Sequence, residues 1–188
     1  MRNWLGSLIW RLHHWDVALS DWIALRSDKT KARPGQYWLA LFCAHLGDSW
    51  LWMIIAGCFF KNAYVHRHED EGRRSKQIIT WIVSVISATI ITLLIKRQVR
   101  RDRPGSGALL YGSGPDVHSF PSGHAVRLAT IAMWSRVLLP RQGWLAWPLL
   151  LLVGWSRVAL GIHYVGDVAA GIVLGSVVGS FFRRIGDR

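Results

Sequence analysis

The sequence predicts an all-α integral membrane bundle of about five transmembrane helices, with an amphipathic helix ahead of them. Three observations predict it. Apolar runs long enough to cross a bilayer alternate with short polar segments. The composition is 51% hydrophobic against 18% charged. Twelve tryptophans are present, a residue that favours the membrane–water boundary. In lipid the backbone must satisfy its own hydrogen bonds, so the apolar runs are expected to be helices. The length of 188 residues suits one domain: an interfacial helix and loop over 1–36, a transmembrane core over 37–182 and a basic tail over 183–188.

Residues 3–25 place Trp4, Leu5, Leu8, Ile9, Leu12, Trp15, Leu19, Trp22 and Ile23 at helical spacing, interrupted by Arg11, His13, His14, Asp16 and Asp21. Such a helix either lies in the interface or packs on the bundle. It lacks the apolar core and small-residue cleavage site of a signal peptide. A polar loop over 26–36 ends in Pro34-Gly35. The first span is read over 37–60, with His45 and Asp48 inside it. Ionisable groups at that depth should face the bundle interior. They are read as a polar packing pair, with substrate contact as the alternative. Cys43 and Cys58, in the same run, read as small core hydrophobes.

The second span, 78–95, is bounded by Lys96, and a basic, Gly-rich segment follows to residue 120. The third span runs from Pro121, a natural helix start, to Leu139. The fourth covers 144–160 and the fifth 164–182. The fifth carries Gly171, Gly175 and Gly179 at four-residue spacing, which permits close approach of a second helix within the bundle or between subunits.

The formal charge of +12 points to an anionic partner. Nucleic acid is excluded as the reading, because the basic residues are dispersed between apolar runs. Lys and Arg are abundant on both sides of the predicted topology, so charge does not fix the orientation.

Three segments at span ends carry chemistry: Lys96 to Pro104, Ser119 to His124, and Ser156 to Asp167. Alternation of the spans brings all three to one membrane face. Lys96, Arg103 and Arg157 supply cations, of which arginine matches phosphate oxygens with a rigid fork. Ser122 and Gly123 stand at a helix N-terminus, where free N–H groups and the positive dipole end favour an anion. The pattern points to phosphate. His124 and His163 can divide the work of attacking phosphorus and protonating a leaving oxygen. Asp167, one helical turn after His163, can accept a proton from one ring nitrogen and leave the other free. Arg127, three residues after His124, is either a contact to a second phosphate or a snorkelling interfacial charge. Arg97, Arg100 and Arg101 read as membrane-flanking charge, with headgroup recruitment as the alternative.

With these residues in order, the chain resembles the type 2 phosphatidic acid phosphatase superfamily, whose pattern is K-x6-RP, PSGH and SR-x5-H-x3-D. Lys96–Pro104, Pro121–His124 and Ser156–Asp167 fit it at every defined position. The resemblance implies His163 as nucleophile forming a phosphohistidine, Asp167 as its partner, and His124 as the acid for the leaving group. It implies that Lys96, Arg103, Ser122, Gly123 and Arg157 hold the phosphoryl oxygens, and that no metal or cofactor is needed. It further implies a site on the periplasmic, outer or lumenal face, in a bacterial inner membrane for a chain this short. The expected partners are the bilayer and a lipid substrate: phosphatidic acid, phosphatidylglycerol phosphate, undecaprenyl diphosphate or a lipid A phosphate. A phosphotransferase using the same intermediate, a haloperoxidase and a non-catalytic anionic-lipid binder are the alternatives.

Overall fold

Why the apolar runs become helices is clear in the computed structural model, which describes residues 4–25, 33–48, 50–55, 57–58, 71–104 and 117–187. Among them lie helices α1 (Trp4–Ile23), α2 (Pro34–His45), α3 (Glu71–Val99), α4 (Gly123–Leu138), α5 (Ala146–Ala159) and α6 (Val165–Gly186). A 3-10 turn at Gly143–Leu145 leads into α5, and 50–55 is also helical. No strand occurs among the described residues. Of the expected polar segments 26–36, 61–77 and 96–120, residues 26–32, 61–70 and 105–116 lie outside the described residues, while Pro34 to Gln36 and Glu71 to Gln77 are helical, correcting those ends.

Two helices, Gly72–Val99 and Val165–Gly186, are long and apolar enough to cross a bilayer, and Gly143–Ala159 is a shorter apolar helix. The expected first span is not one continuous helix. It breaks at Leu46–Asp48, where Leu46, Gly47 and Asp48 donate their N–H groups to Cys43, Ala44 and His45 carbonyls at 3.2, 3.2 and 3.1 Å. These are tight i→i+3 bonds, the geometry in which a helix stops. Trp52 Nε1 donates to the Leu46 carbonyl at 2.9 Å, so the broken turn leaves that acceptor paired. Of the two cysteines read as core, Cys43 is buried and Cys58 is exposed. Pro121 also does not open its helix; it lies two residues ahead of Gly123, and Ser122 is the N-cap residue.

α4 is the central element, packed against α6, α3 and α5. It is buried around most of its circumference, which is why its apolar residues show no single preferred face. Trp134, Leu128 and Ile131 anchor its core with Trp81, Leu150 and Val153. The α4–α6 contact rests on the glycine stripe. A Cβ on Gly171 would lie 2.8 Å from the Ser122 carbonyl oxygen, and one on Gly175 would lie 2.1 Å from that of Val126. The stripe therefore packs within the bundle. Thr130 Oγ1 joins the two helices by donating to the Gly175 carbonyl at 3.2 Å.

α1 unites both roles considered for it. Trp10, Trp15 and Trp22 are exposed, as a helix at the interface requires. Its opposite side docks on the start of α6: Gly166 N–H donates to Asp16 Oδ1 at 2.7 Å, and Val165 N–H donates to Ser20 Oγ at 2.9 Å. Two orphan donors of α6 are satisfied in this way, and Asp16 adds negative charge at the positive dipole end.

Gly175→Ala tests the close packing. The added methyl would meet the α4 backbone, so thermal unfolding in detergent is expected to show a loss of about 1–3 kcal/mol. An unchanged melting temperature would count against this contact.

Candidate active site

The position of His163 follows from how α5 ends. Gly161 adopts φ 65, a left-handed conformation that glycine takes without strain. Gly161 N–H donates to the Val158 carbonyl at 2.9 Å and Ile162 N–H to the Arg157 carbonyl at 3.0 Å. This pair of bonds is a Schellman motif. Ile162 belongs to the same buried apolar cluster as Ala159 and Leu160. The chain thus reverses within four residues. Arg157, in the last turn of α5, and His163, just beyond it, face a common interior, both almost fully buried.

The end of α3 supplies the next group. Arg100 has φ 50, which turns the chain out of the helix. The following segment runs beside 117–120, held by Ser119 N–H and Oγ donating to the Arg101 carbonyl at 2.8 and 3.2 Å. Lys96 Nζ donates to the His118 carbonyl. Arg103 Nε donates to the Val117 carbonyl at 3.1 Å, and Arg103 Nη1 to that of Ile162 at 3.1 Å. The same Nη1 lies 3.3 Å from His163 Nε2.

That contact selects a tautomer. A guanidinium only donates, so His163 Nε2 accepts and Nδ1 carries the ring proton. Nδ1 faces Asp167 Oδ2 at 3.6 Å, an electrostatic contact longer than a hydrogen bond. Burial is the main influence on the imidazole. With Arg157, Arg103, Lys96 and His124 around it, burial holds His163 well below the ordinary histidine value of 6.5. The ring is therefore neutral at neutral pH, with a lone pair on Nε2.

Asp167 is fully buried and ionically tied. Arg101 Nη1 donates to its Oδ1 at 2.8 Å, and Tyr164 N–H to its Oδ2 at 2.9 Å. Arg101 Nη2 also donates to Asp16 Oδ2 at 2.7 Å, and the guanidinium stacks over Tyr164 at 3.9 Å. Arg101, read from sequence as a flanking charge, thus bridges two carboxylates.

At the start of α4, Ser122 N–H is not free, contrary to expectation: it donates to the Asp167 carbonyl at 3.0 Å. Ser122 Oγ is buried and has no hydrogen-bond partner among the described residues. Gly123 begins the helix beside it. His124 is 8% exposed and within electrostatic reach of Arg157, Arg127 and His163. Its Nε2 meets Asp48 Oδ1 at 3.1 Å.

The fold thus gathers Lys96, Arg103, Ser122, Gly123, His124, Arg157, His163 and Asp167 at the α3 C-terminus, the α4 N-terminus and the α5–α6 turn. Arg127 sits at the margin, in the wall of an apolar groove. Three residues that contact the site were not placed in it from the sequence. Asp48 was signalled by its charge inside an apolar run. Arg101 lay inside the first motif at a position where the motif is silent. Asp16, 150 residues from its partner Gly166, gave no signal.

A family model described as the PAP2 superfamily matches residues 77–188, a segment that contains all three motifs. The decaprenylphosphoryl-5-phosphoribose phosphatase of Mycobacterium tuberculosis (strain CDC 1551 / Oshkosh) is 32% identical over 160 residues, covering 82% of each chain. The lipid A 4'-phosphatase of Porphyromonas gingivalis is 28% identical over 158 residues, covering 74% of this chain and 63% of that protein. In fold, the chain is similar to the transmembrane PAP2 type phosphatidylglycerolphosphate phosphatase from Bacillus subtilis. The TM-score is 0.74 at 24% identity, over 94% of this chain and 87% of the other. With a cationic, doubly imidazole-lined pocket at its helix ends and these matches across most of its length, the chain belongs to the PAP2 superfamily and is a phosphatase of PAP2 type.

Proposed function

We propose that this phosphatase hydrolyses the phosphate ester or diphosphate of a membrane lipid or polyprenyl carrier through a phosphohistidine on His163. The observation that carries the reading is the state of that ring. His163 is buried, neutral, and presents Nε2 to Arg103 while Nδ1 faces Asp167. A phosphoryl group drawn to Arg103 is thereby brought to the attacking nitrogen.

The steps balance as follows. Nε2 forms a bond to phosphorus as the phosphorus–oxygen bond to the lipid breaks. His124, protonated, gives its proton to the departing oxygen. His124 then takes a proton from water, whose oxygen attacks phosphorus, and inorganic phosphate leaves as the nitrogen–phosphorus bond breaks. Lys96, Arg103 and Arg157 offset the charge that grows on the phosphoryl oxygens, with Ser122 Oγ and the Gly123 N–H as neutral donors. Asp167 stabilises the charge that develops on His163.

A groove of about 410 Å³ supports a lipid substrate. Trp52, Trp81, Val85, Ile86 and Ile90 line it, and Arg127 stands in its wall. Apolar walls suit a tail, and a wall arginine suits a second phosphate or a sugar phosphate. Candidates are phosphatidylglycerol phosphate, phosphatidic acid, undecaprenyl diphosphate, lipid A phosphate and a polyprenyl-linked phosphosugar. We assign the protein to a bacterial inner membrane with the pocket on the periplasmic or outer face.

His163→Ala is expected to abolish phosphate release from a panel of these lipids, by about 10⁴-fold or more. It should also abolish acid-labile labelling of the protein by a ³²P-labelled substrate. Wild-type turnover in that variant would remove the nucleophile assignment. Ser122→Ala should lower kcat/KM about 10²–10³-fold, the effect of losing one oxyanion donor. Because Ser122 Oγ has no partner to lose among the described residues, the variant should retain its melting temperature.

The pH profile gives a third check. His163 binds its proton only below the ordinary value of 6.5, so the nucleophile stays intact at neutral pH. Once ionisation of the substrate phosphate is divided out, the acid limb of kcat/KM is expected below 6.5. An acid limb above that value would contradict a neutral His163.

A further inference from the structure

The break in the first apolar segment has no role in the steps above. A helix interrupted in apolar surroundings must re-pair its backbone, and Leu46–Asp48 does so with three tight turns and the Trp52 indole. The break faces the His124 ring. A Cβ on Gly47 would lie 2.6 Å from His124 Cδ2 and 2.9 Å from Val153 Cγ1, so only glycine lets the chain pass this close. The next residue, Asp48, sets its Oδ1 3.1 Å from His124 Nε2. Its other oxygen, Oδ2, is 2.9 Å from His45 Nδ1, one helical turn earlier. The carboxylate is therefore fixed at both oxygens, and its side chain is only 26% exposed.

A packing pair of His45 and Asp48 would need neither the glycine against the ring nor the second oxygen on His124. The arrangement shares one element with His163: an imidazole with a carboxylate facing one ring nitrogen. At His124 the carboxylate is in hydrogen-bond range, as suits a ring that must carry a positive charge among Arg157 and Arg127. We propose that Asp48 is a positioning residue for His124, holding its Nε2 so that Nδ1 delivers the proton to the leaving oxygen. This rests on the assignment of His124 as the leaving-group acid.

The test uses two substrates with one lipid tail, an alkyl phosphate and a nitrophenyl phosphate. An alkoxide needs a proton to depart and a nitrophenolate does not. In the full-length enzyme, Asp48→Asn is expected to slow the alkyl phosphate about 10²-fold and the nitrophenyl phosphate at least an order of magnitude less. Inorganic phosphate should inhibit the variant competitively as it does the wild type, since its pocket is untouched. Asp48→Asn/His124→Ala should be no slower than His124→Ala, because the two side chains act as a unit. Gly47→Ala, which displaces the ring without touching the carboxylate, should show the same substrate selectivity.

Equal slowing of both substrates by Asp48→Asn, weakened phosphate inhibition, or additive losses in the double variant would overturn the role of Asp48. If His124→Ala itself shows no preference between the substrates, the acid assignment fails and this proposal fails with it. Selective His124→Ala with unselective Asp48→Asn removes the proposal alone.

Discussion

Three cations with almost no access to solvent, Lys96, Arg103 and Arg157, are gathered at one end of a membrane bundle. Removing such charge from water is costly unless the charge is solvated by the protein. For Lys96 and Arg103 the structure provides carbonyl oxygens: His118 for Lys96, Val117 and Ile162 for Arg103. Carbonyl dipoles solvate a cation without neutralising it. Aspartates in those places would have satisfied the same hydrogen bonds and cancelled the field that attracts phosphate. The paired extended segments at 101–104 and 117–120, and the Schellman turn after α5, are ways of presenting those carbonyls.

The buried carboxylate of Asp167 meets the opposite requirement. On the proposed mechanism it serves as a carboxylate beside His163. Arg101 answers this by a direct bond at 2.8 Å, and Asp16 anchors the far side of the same guanidinium. Lys96 and Arg103 thus face carbonyls, while Arg101 faces carboxylates. α1 enters the chemistry by this route. An interfacial helix with exposed tryptophans also supplies the counter-charge that holds Arg101 against Asp167.

Much of this was legible in the sequence. The apolar runs located α6 to within a few residues and the apolar part of α3, whose charged first turns from Glu71 lie ahead of the expected span. The three motifs located most of the pocket, because each sits where a span must end and polar backbone becomes exposed. What escaped depends on tertiary placement. The run 37–60 reads as one span although His45, Gly47, Asp48 and Ser49 interrupt it; the chain breaks at Leu46–Asp48, where Gly47 lies against the His124 ring. Asp48 itself was conspicuous, yet its partner lies 76 residues away. The free N–H expected at Ser122 was spent on the Asp167 carbonyl, a pairing between helix starts that no spacing predicts. Arg101 is one basic residue among five over 96–103, and only geometry distinguishes a bridge from a flank.

That Ser122–Asp167 bond connects packing in the membrane to chemistry at its edge. It ties the first residue before α4 to the first turn of α6, and so ties the element carrying His124 to the element carrying the partner of His163. The same two helices are held together by glycines along α6, beginning with Gly171 against the Ser122 carbonyl. In-line displacement at phosphorus needs the nucleophile and the leaving oxygen on opposite sides of the phosphoryl group, and misplacement by about 1 Å can cost about 10²-fold in rate. With one imidazole at the head of α4 and the other in the α5–α6 turn, their separation is set by how closely α4 and α6 approach. A bulkier residue anywhere along that stripe acts as a lever on the distance between the two rings. On the proposed mechanism, the small residues along α6 serve catalysis as well as stability, because the bundle spaces the proposed acid from the proposed nucleophile.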